Sequence, residues 1–361
     1  MKELKNNRLT AFRSPFTRSM TTHKEVIGWT LLFLSLFLLF ILNLFYGTVS
    51  IPASEVLNAL LGNEVTKTSW RYIVMESRLP SAITAMLCGA SLAASGLMLQ
   101  TTFRNPLAGP SILGITNGAS LGVGIVMLLL GGTLQTTVLG ADIQFGGIMA
   151  VIVAAFLGAI LIMGILLLLS TIVRSNLMLL IVGIMVGYLT SSVIALLNIF
   201  ATSDNLFSYV VWSMGSFSGV TLEQLPYFII PSTGGLLLAL FMIKPLNALL
   251  LGEEYAQNLG FSINQVRTLL LCSTGLLTAI STAFCGPVAF IGLATPHIAR
   301  LLCRNENHKR LLPVTIVIGG AIALLCNIMC MLPQETILPL NAITPILGTP
   351  VILYVILSRR G

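Results

Sequence analysis

Apolar residues run along the chain in long blocks separated by short polar breaks. The blocks fall near 26–46, 79–99, 112–131, 145–170, 177–200, 225–243, 265–285, 287–296, 311–332 and 341–358. A helix needs about 20 apolar residues to cross the hydrocarbon core of a bilayer, so the pattern predicts ten membrane-spanning helices. The eighth block is short and opens at Gly286-Pro287, which predicts a half-length or broken helix there. An even number of spans returns both termini to one side.

Lys and Arg collect in cytoplasmic loops, and their placement fixes which side that is. With both termini inside, the inner loops hold Arg104, Arg174, Lys244, Arg267, Arg300, Arg304, Lys309, Arg310, Arg359 and Arg360, in addition to Lys2, Lys5, Arg8, Arg13, Arg18 and Lys24 at the start. The remaining three, Lys67, Arg71 and Arg78, share the first outer loop. The outer stretches 131–144, 201–224 and 333–340 carry none.

Composition strengthens this picture. Over 361 residues, 56% are hydrophobic and 9% charged, whereas a soluble domain carries about 25% charged residues. The chain is therefore read as an all-α integral membrane protein, with a basic cytoplasmic tail at 1–25 and one transmembrane domain at 26–361, in contact with membrane lipid. The block at 26–46 is too long for a signal-peptide core and no small-residue cleavage site follows it, so it is expected to remain as the first helix. The net charge of +7 does not point to nucleic acid, because the cations are spread over loops and not gathered on one face with aromatics. Cys88, Cys272, Cys285, Cys303, Cys326 and Cys330 lie in or beside apolar blocks without metal-site spacing, so they are read as packing residues and no metal or other cofactor is expected.

Two absences bear on mechanism. The spans hold almost no ionisable residue near mid-membrane, where ion-coupled carriers place proton relays. No Gly-x4-Gly-Lys-[Ser/Thr] nucleotide-binding stretch occurs either. Uphill transport by this chain would draw its energy from a separate ATPase, and an ATP-independent carrier or channel is the alternative. An enzyme is not expected: Gly118-Ala-Ser-Leu-Gly122 fits the serine-hydrolase elbow only formally, inside a span without His or acid, and the lone His297, beside Arg300, reads as a capping or partner-contacting residue.

Three stretches are more specific than membrane composition requires. The first runs from Arg78-Leu-Pro-Ser81 to Gln100 and on through Arg104-Asn-Pro-Leu-Ala-Gly-Pro110 to Ala119. Gly89, Ala93 and Gly96, and then Gly114, Gly118 and Gly122, offer small-residue faces for close helix packing, while Asn105-Pro106 and Gly109-Pro110 force a non-helical turn between them. The second, Leu251-Gly-Glu-Glu-Tyr-Ala-Gln-Asn-Leu-Gly260, is a short acidic amphipathic helix in a basic cytoplasmic face, which favours a protein partner over anionic lipid. The third is Gly286-Pro-Val-Ala-Phe-Ile-Gly-Leu-Ala-Thr-Pro-His-Ile-Ala-Arg300, with His308 in the next loop.

In this order and spacing the three stretches resemble the permease family of ABC importers for iron-siderophores, haem and cobalamin, the FecCD-type permeases of type II importers, from about residue 50 to the end. The resemblance implies ten helices per subunit in the bacterial inner membrane. It also implies a second copy of the chain across a two-fold axis, two cytoplasmic ABC ATPases, and a periplasmic or lipid-anchored binding protein. Carried over by position, Gly252, Glu253, Glu254, Ala256, Leu259 and Gly260, within 244–263, resemble the coupling element that docks in the ATPase. Asn105, Pro106 and Leu107 match the turn of the cytoplasmic gate, and Ser175 and Asn176 fall in the second gate loop. Arg78 matches the first of the family's outward arginines for the binding protein, but Ser81 and Cys330 or Met331 stand at the other two positions, and Lys67 and Arg71 are expected to substitute. The closing segment Leu338–Pro350 carries Asn341 where a glycine is usual. Which chelate is carried is not written in these residues.

Overall fold

A computed structural model describes residues 15–131, 133–138, 141–173, 175–332 and 336–358. Most of the basic tail, Arg174, Arg359 and Arg360 lie outside the described residues. Helix α1 (Pro15–Phe45) opens earlier than the apolar block does, with a proline in its first turn, where a missing N–H costs nothing. Six described helices are long and apolar enough to cross a membrane alone, and α9 (Leu225–Phe241) with α10 (Ile243–Leu251), bent by 46°, makes a seventh. Three shorter apolar segments, Ile115–Leu129, Ile291–Cys303 and Leu340–Tyr354, bring the total to the ten that the hydropathy pattern predicts.

At the centre stands α4 (Leu79–Thr102), flanked by α9, α12 (Ile263–Cys285), α13 (Ile291–Cys303) and α14 (His308–Met331). Its glycines explain how so many neighbours fit. A methyl group added at Gly89 would lie 2.2 Å from the Gly319 carbonyl oxygen, and one at Gly96 would lie 1.7 Å from that of Gly292. Without a hydrophobic drive between helices in lipid, such backbone-to-backbone contact is what binds them. The same device joins α5 (Ile115–Gly124) to α6 (Gly147–Ile172), where Gly158 sits against the Gly118 carbonyl. Helix α7 (Asn176–Phe200) packs on α5 and leaves Leu189, Ile199 and Phe200 exposed on its outer face, as a lipid-facing helix would.

One group of buried polar side chains ties three helices together. Asn327 of α14 donates to Asn43 of α1 at 2.8 Å and to Ser81 of α4 at 3.2 Å, and Asn43 donates to the Leu324 carbonyl. Ser81, where the resemblance places the second arginine, is buried in this packing, and of the two residues that could hold the third, Cys330 is buried and Met331 half-buried.

Three features depart from the expected layout. An antiparallel pair of strands, β1 (Thr133–Val138) and β2 (Ala141–Gly146), occupies the outer stretch 131–144 and the first two residues of the next apolar block. The outer stretch 201–224 contains the helix α8 (Ser203–Ser213), capped by the Thr202 hydroxyl. The half-length helix expected at 287–296 begins only at Ile291, because 286–290 is non-helical, with positive φ at Gly286 (+72°) and at Phe290 (+66°). Bare backbone at membrane depth needs internal partners. Asn341, at the start of α15 (Leu340–Ser358), supplies them: its amide donates to the Pro287 and Ser213 carbonyls at 2.7 and 3.0 Å and accepts from the Ala289 N–H at 3.2 Å.

Candidate functional site

The inner ends of α4, α10, α12, α13 and α14 converge on the non-helical segments that the sequence marks as gate and coupling element. Residues 103–114 leave α4 through Arg104, whose φ of +45° turns the chain sharply. Asn105 then closes an Asx turn: its side-chain oxygen accepts from the Leu107 N–H at 2.9 Å and its carbonyl from the Ala108 N–H at 3.0 Å. Asn has the short acceptor that this geometry needs. Pro106 and Leu107 are exposed, and the Pro106 carbonyl is reached by His297 Nε2 from α13 at 2.9 Å. His297 thus ties α13 to the backbone of this turn.

Around this turn, a chain of polar contacts runs across the inner face. Arg300 of α13 donates to Gln100 of α4 at 2.6 Å and pairs with Glu306 at 3.3 Å, and Gln100 donates to the Leu293 carbonyl. His308, fully buried at the start of α14, faces the Thr101 hydroxyl through Nε2 at 2.8 Å and Asn247 of α10 through Nδ1 at 3.1 Å. Asn247 donates from its nitrogen to Asn307, which leaves its oxygen for His308. That oxygen also accepts from the His308 N–H at 2.8 Å. A neutral ring with its proton on Nδ1 donates to Asn247, and its Nε2 competes with the Leu97 carbonyl, 3.0 Å from the Thr101 oxygen, for the hydroxyl proton, an assignment made from these partners. One imidazole therefore joins α4, α10 and α14.

The candidate coupling segment is a bend and a short helix. Helix α10 ends at Gly252, whose φ of +127° lies outside the range comfortable for side-chain-bearing residues. Helix α11 (Glu253–Asn258) follows, and Gly260 at φ +87° ends the segment. The six coupling residues divide. Ala256 is buried in a cluster with Leu246, Leu249 and Val266. Glu253 is half-buried and pairs with Arg267 of α12 at 3.7 Å. Glu254, Leu259 and Gly260 face outward. Tyr255 and Leu251 are exposed beside them, residues not singled out in the sequence. Exposed apolar side chains gathered on a surface mark protein or membrane contact sites. Arg104, Glu253, Glu254 and Tyr255 line a cleft of about 610 Å3 between the coupling segment and the gate turn.

Both candidate gate loops are fastened to this segment. Arg104 donates to the Leu249 carbonyl of α10 at 3.1 Å. Arg267, besides pairing with Glu253, donates to the Val173 carbonyl at 3.3 Å, two residues before Ser175. The Ser175 hydroxyl accepts from the Met178 N–H and caps α7, and Asn176 is the first residue of that helix.

The outer candidates separate differently. Lys67 sits over the Trp70 ring at 4.9 Å, and Lys67, Arg71 and Tyr72 are all exposed. Their loop is held by Glu55, which accepts from the Thr66 hydroxyl at 2.7 Å and from its N–H at 2.9 Å; these bonds favour the ionised carboxylate and lower its pKa. Arg78, expected to project outward, lies inside instead. It is 4% exposed, and its guanidinium donates to the Leu44 and Phe45 carbonyls at 3.0 and 2.9 Å and to that of Val49. The last carbonyls of α1 have no intrahelical donors, and Arg78 fills that need. Gly47 leaves it room: a methyl group there would lie 2.8 Å from Arg78 Nε.

Comparison with known proteins agrees with this architecture. The model of the FecCD transport family matches residues 35–358. The vitamin B12 import system permease protein BtuC of Klebsiella pneumoniae is 34% identical over 94% of this chain and 95% of its own length. That of Escherichia coli O9:H4 is 36% identical over 80% and 84%. A solved structure described as the inward-facing conformation of a metal-chelate type ABC transporter superposes with a TM-score of 0.79 at 27% identity, covering 92% of this chain and 99% of the other.

Proposed function

Because the chain belongs to the FecCD transport family, we propose that its segment 243–260 is the grip through which an ATPase drives it, and that its cargo is a corrinoid or a similar metal chelate. The protein is the permease subunit of an ATP-driven importer of the vitamin B12 and metal-chelate class, multi-pass in the bacterial inner membrane, with ATP hydrolysis in a separate subunit and a binding protein as further partner. In this reading two copies pair across a two-fold axis, each gripped by one ATPase. Near-full-length similarity to vitamin B12 permeases supports the corrinoid over ferric siderophores and haem.

The division of the coupling segment carries the mechanism. Glu254, Tyr255, Leu251 and Leu259 face outward to meet a partner, while Glu253 and Ala256 fasten the same short helix to α12 and the core. A partner that binds this surface differently in its two nucleotide states shifts the permease between its own two states, and by no more than that difference. The shift reaches the first gate loop through Arg104 and the second through Arg267. Asn105, Pro106 and Leu107 on one side, and Ser175 and Asn176 on the other, are the parts displaced. Glu253, Glu254 and Gly260 keep the roles that the family resemblance suggests, with Gly252 as the bend.

Glu254→Arg tests the assignment in the complete transporter reconstituted in vesicles. The expected result is cobalamin uptake at background and ATP hydrolysis no longer stimulated by loaded binding protein, with the permease still monodisperse and thermally unchanged. Normal coupled uptake by this variant would remove the grip from this segment.

A further inference from the structure

A groove of about 450 Å3 lies where the inner end of α1 meets the end of α13 and the start of α14, lined among others by Trp29, Leu32, Leu302, Cys303, Arg310 and Val314. We propose that this groove is a binding site for one anionic glycerophospholipid of the cytoplasmic leaflet, its phosphate against Arg310 and its acyl chains along α1. Depth is the first argument. Helices α1 and α14 run side by side in the same direction, since Asn43 meets Leu324 near their outer ends, and Trp29 and Arg310 precede those residues by equal steps. An indole at the end of a span sits at the headgroup level, so the guanidinium beside it is placed at phosphate height.

Shape and chemistry agree with that depth. From Trp29 the surface continues toward the bilayer centre as a second depression along α1, lined by Trp29, Phe33, Leu34 and Phe37, with the Trp29 and Phe33 rings stacked at 6.0 Å. Leu31, Leu34 and Phe37 are all more than half exposed, as acyl-facing residues are. The polar end is cationic: Arg310 lines it, and Arg304 and Lys309 are exposed close by in sequence, while the carboxylate of the same loop, Glu306, pairs with Arg300. A cavity that is apolar along its length and positive at one end complements a lipid with a negative headgroup. A soluble anion would use only the end, and a zwitterionic lipid would gain little from the charge.

The three tryptophans of the chain give a local readout. Trp70→Phe with Trp212→Phe leaves Trp29 as the only indole, and brominated lipids quench an indole only on contact. In vesicles, brominated phosphatidylglycerol is expected to occupy the Trp29 site about fivefold more strongly than brominated phosphatidylcholine, the effect of about one cation at the membrane surface. Arg310→Gln is expected to abolish the preference, and Lys309→Gln to preserve it. Equal quenching by the two lipids, or a preference that survives Arg310→Gln, would overturn the proposal. So would quenching by neither lipid, which would mean that protein, such as a second copy of the chain, covers the groove. If the tryptophan-reduced chain does not insert, native mass spectrometry of the unmodified protein and its Arg310→Gln variant decides. Fewer retained phosphatidylglycerol molecules in the variant are expected, and equal retention refutes the site.

Discussion

The two ends of the bundle spend their polar side chains differently. At the outer end, Arg78 and Asn341 each reach bare backbone at a break: the carbonyls after α1 for the first, and the 286–290 segment with the Ser213 carbonyl for the second. At the inner end such residues join the candidate gate and coupling segments to the helices beside them, through side chains (His308 to Thr101 and Asn247, Arg300 to Gln100 and Glu306, Arg267 to Glu253) and through carbonyls (Arg104 to α10, Arg267 to Val173, His297 to Pro106). An anchor that closes a break in the backbone holds a fixed shape. A contact between a driven segment and the loop beside it passes a displacement on, and in a permease driven from the cytoplasm that belongs at the inner end.

If that contrast is right, breaking an outer anchor costs stability, and breaking an inner link costs coupling as well. The largest loss of stability is expected for Arg78→Ala, which removes three charge-assisted bonds and leaves buried carbonyls unpaired. The cost is about 3 kcal/mol, read as a lowered thermal midpoint in detergent. Whatever protein survives should bind its binding protein with unchanged affinity. A variant of full stability that loses the binding protein would return Arg78 to the outer surface and erase the contrast.

His308→Ala is expected to cost less, about 2 kcal/mol, for the stranded partners Thr101 and Asn247. Its effect on transport should exceed that loss: ATP hydrolysis continues while uptake per ATP falls several-fold, because α10 no longer moves with α4. His308→Asn, which can still reach Asn247, should recover part of the uptake. Uptake that falls only in proportion to the folded protein would reduce His308 to a packing residue.

The spans were legible in the sequence because hydropathy in a bilayer is a strong local signal, and the glycine faces of α4 and α5 because small residues at helical spacing have few other uses. The turn at Asn105-Pro106 was legible for the same reason, since its chemistry lies within a few residues. Directions and distant partners were not. The charge of Arg78 shows in the sequence, but the carbonyls it serves lie some thirty residues earlier. Asn341 stood out only as a departure from a glycine, since its partners come from the 213 and 287–289 segments. The hydropathy pattern does not mark the hairpin at 133–146, because two six-residue strands fall far below a pattern tuned to twenty-residue spans. In the coupling segment, Tyr255 and Leu251 became candidates only when they proved exposed beside Glu254.

The smallest effect is expected at the outer surface. Lys67 and Arg71 are exposed, and with Arg78 turned inward they are the cations left in the first outer loop to meet a binding protein. Exposed ion pairs are worth roughly 0.2–1 kcal/mol each, so Lys67→Glu with Arg71→Glu should weaken that association by about tenfold at low salt without moving the thermal midpoint. Charge pairs at an interface rim act mainly on the rate of association, so the loss should appear in the on-rate and shrink as salt is raised toward physiological strength. The Lys67 position over Trp70 makes a sharper distinction. If Lys67 only braces the loop, Lys67→Gln alone should loosen the hold on Trp70 and change the indole fluorescence, while association keeps its salt dependence. If Lys67 meets the partner, Lys67→Gln should flatten that salt dependence even where the fluorescence stays the same. An on-rate that is unaffected by the double reversal and insensitive to salt would show that the outer surface docks its partner through apolar contacts, with Tyr72 and Leu61, both more than two-thirds exposed, as the next residues to change.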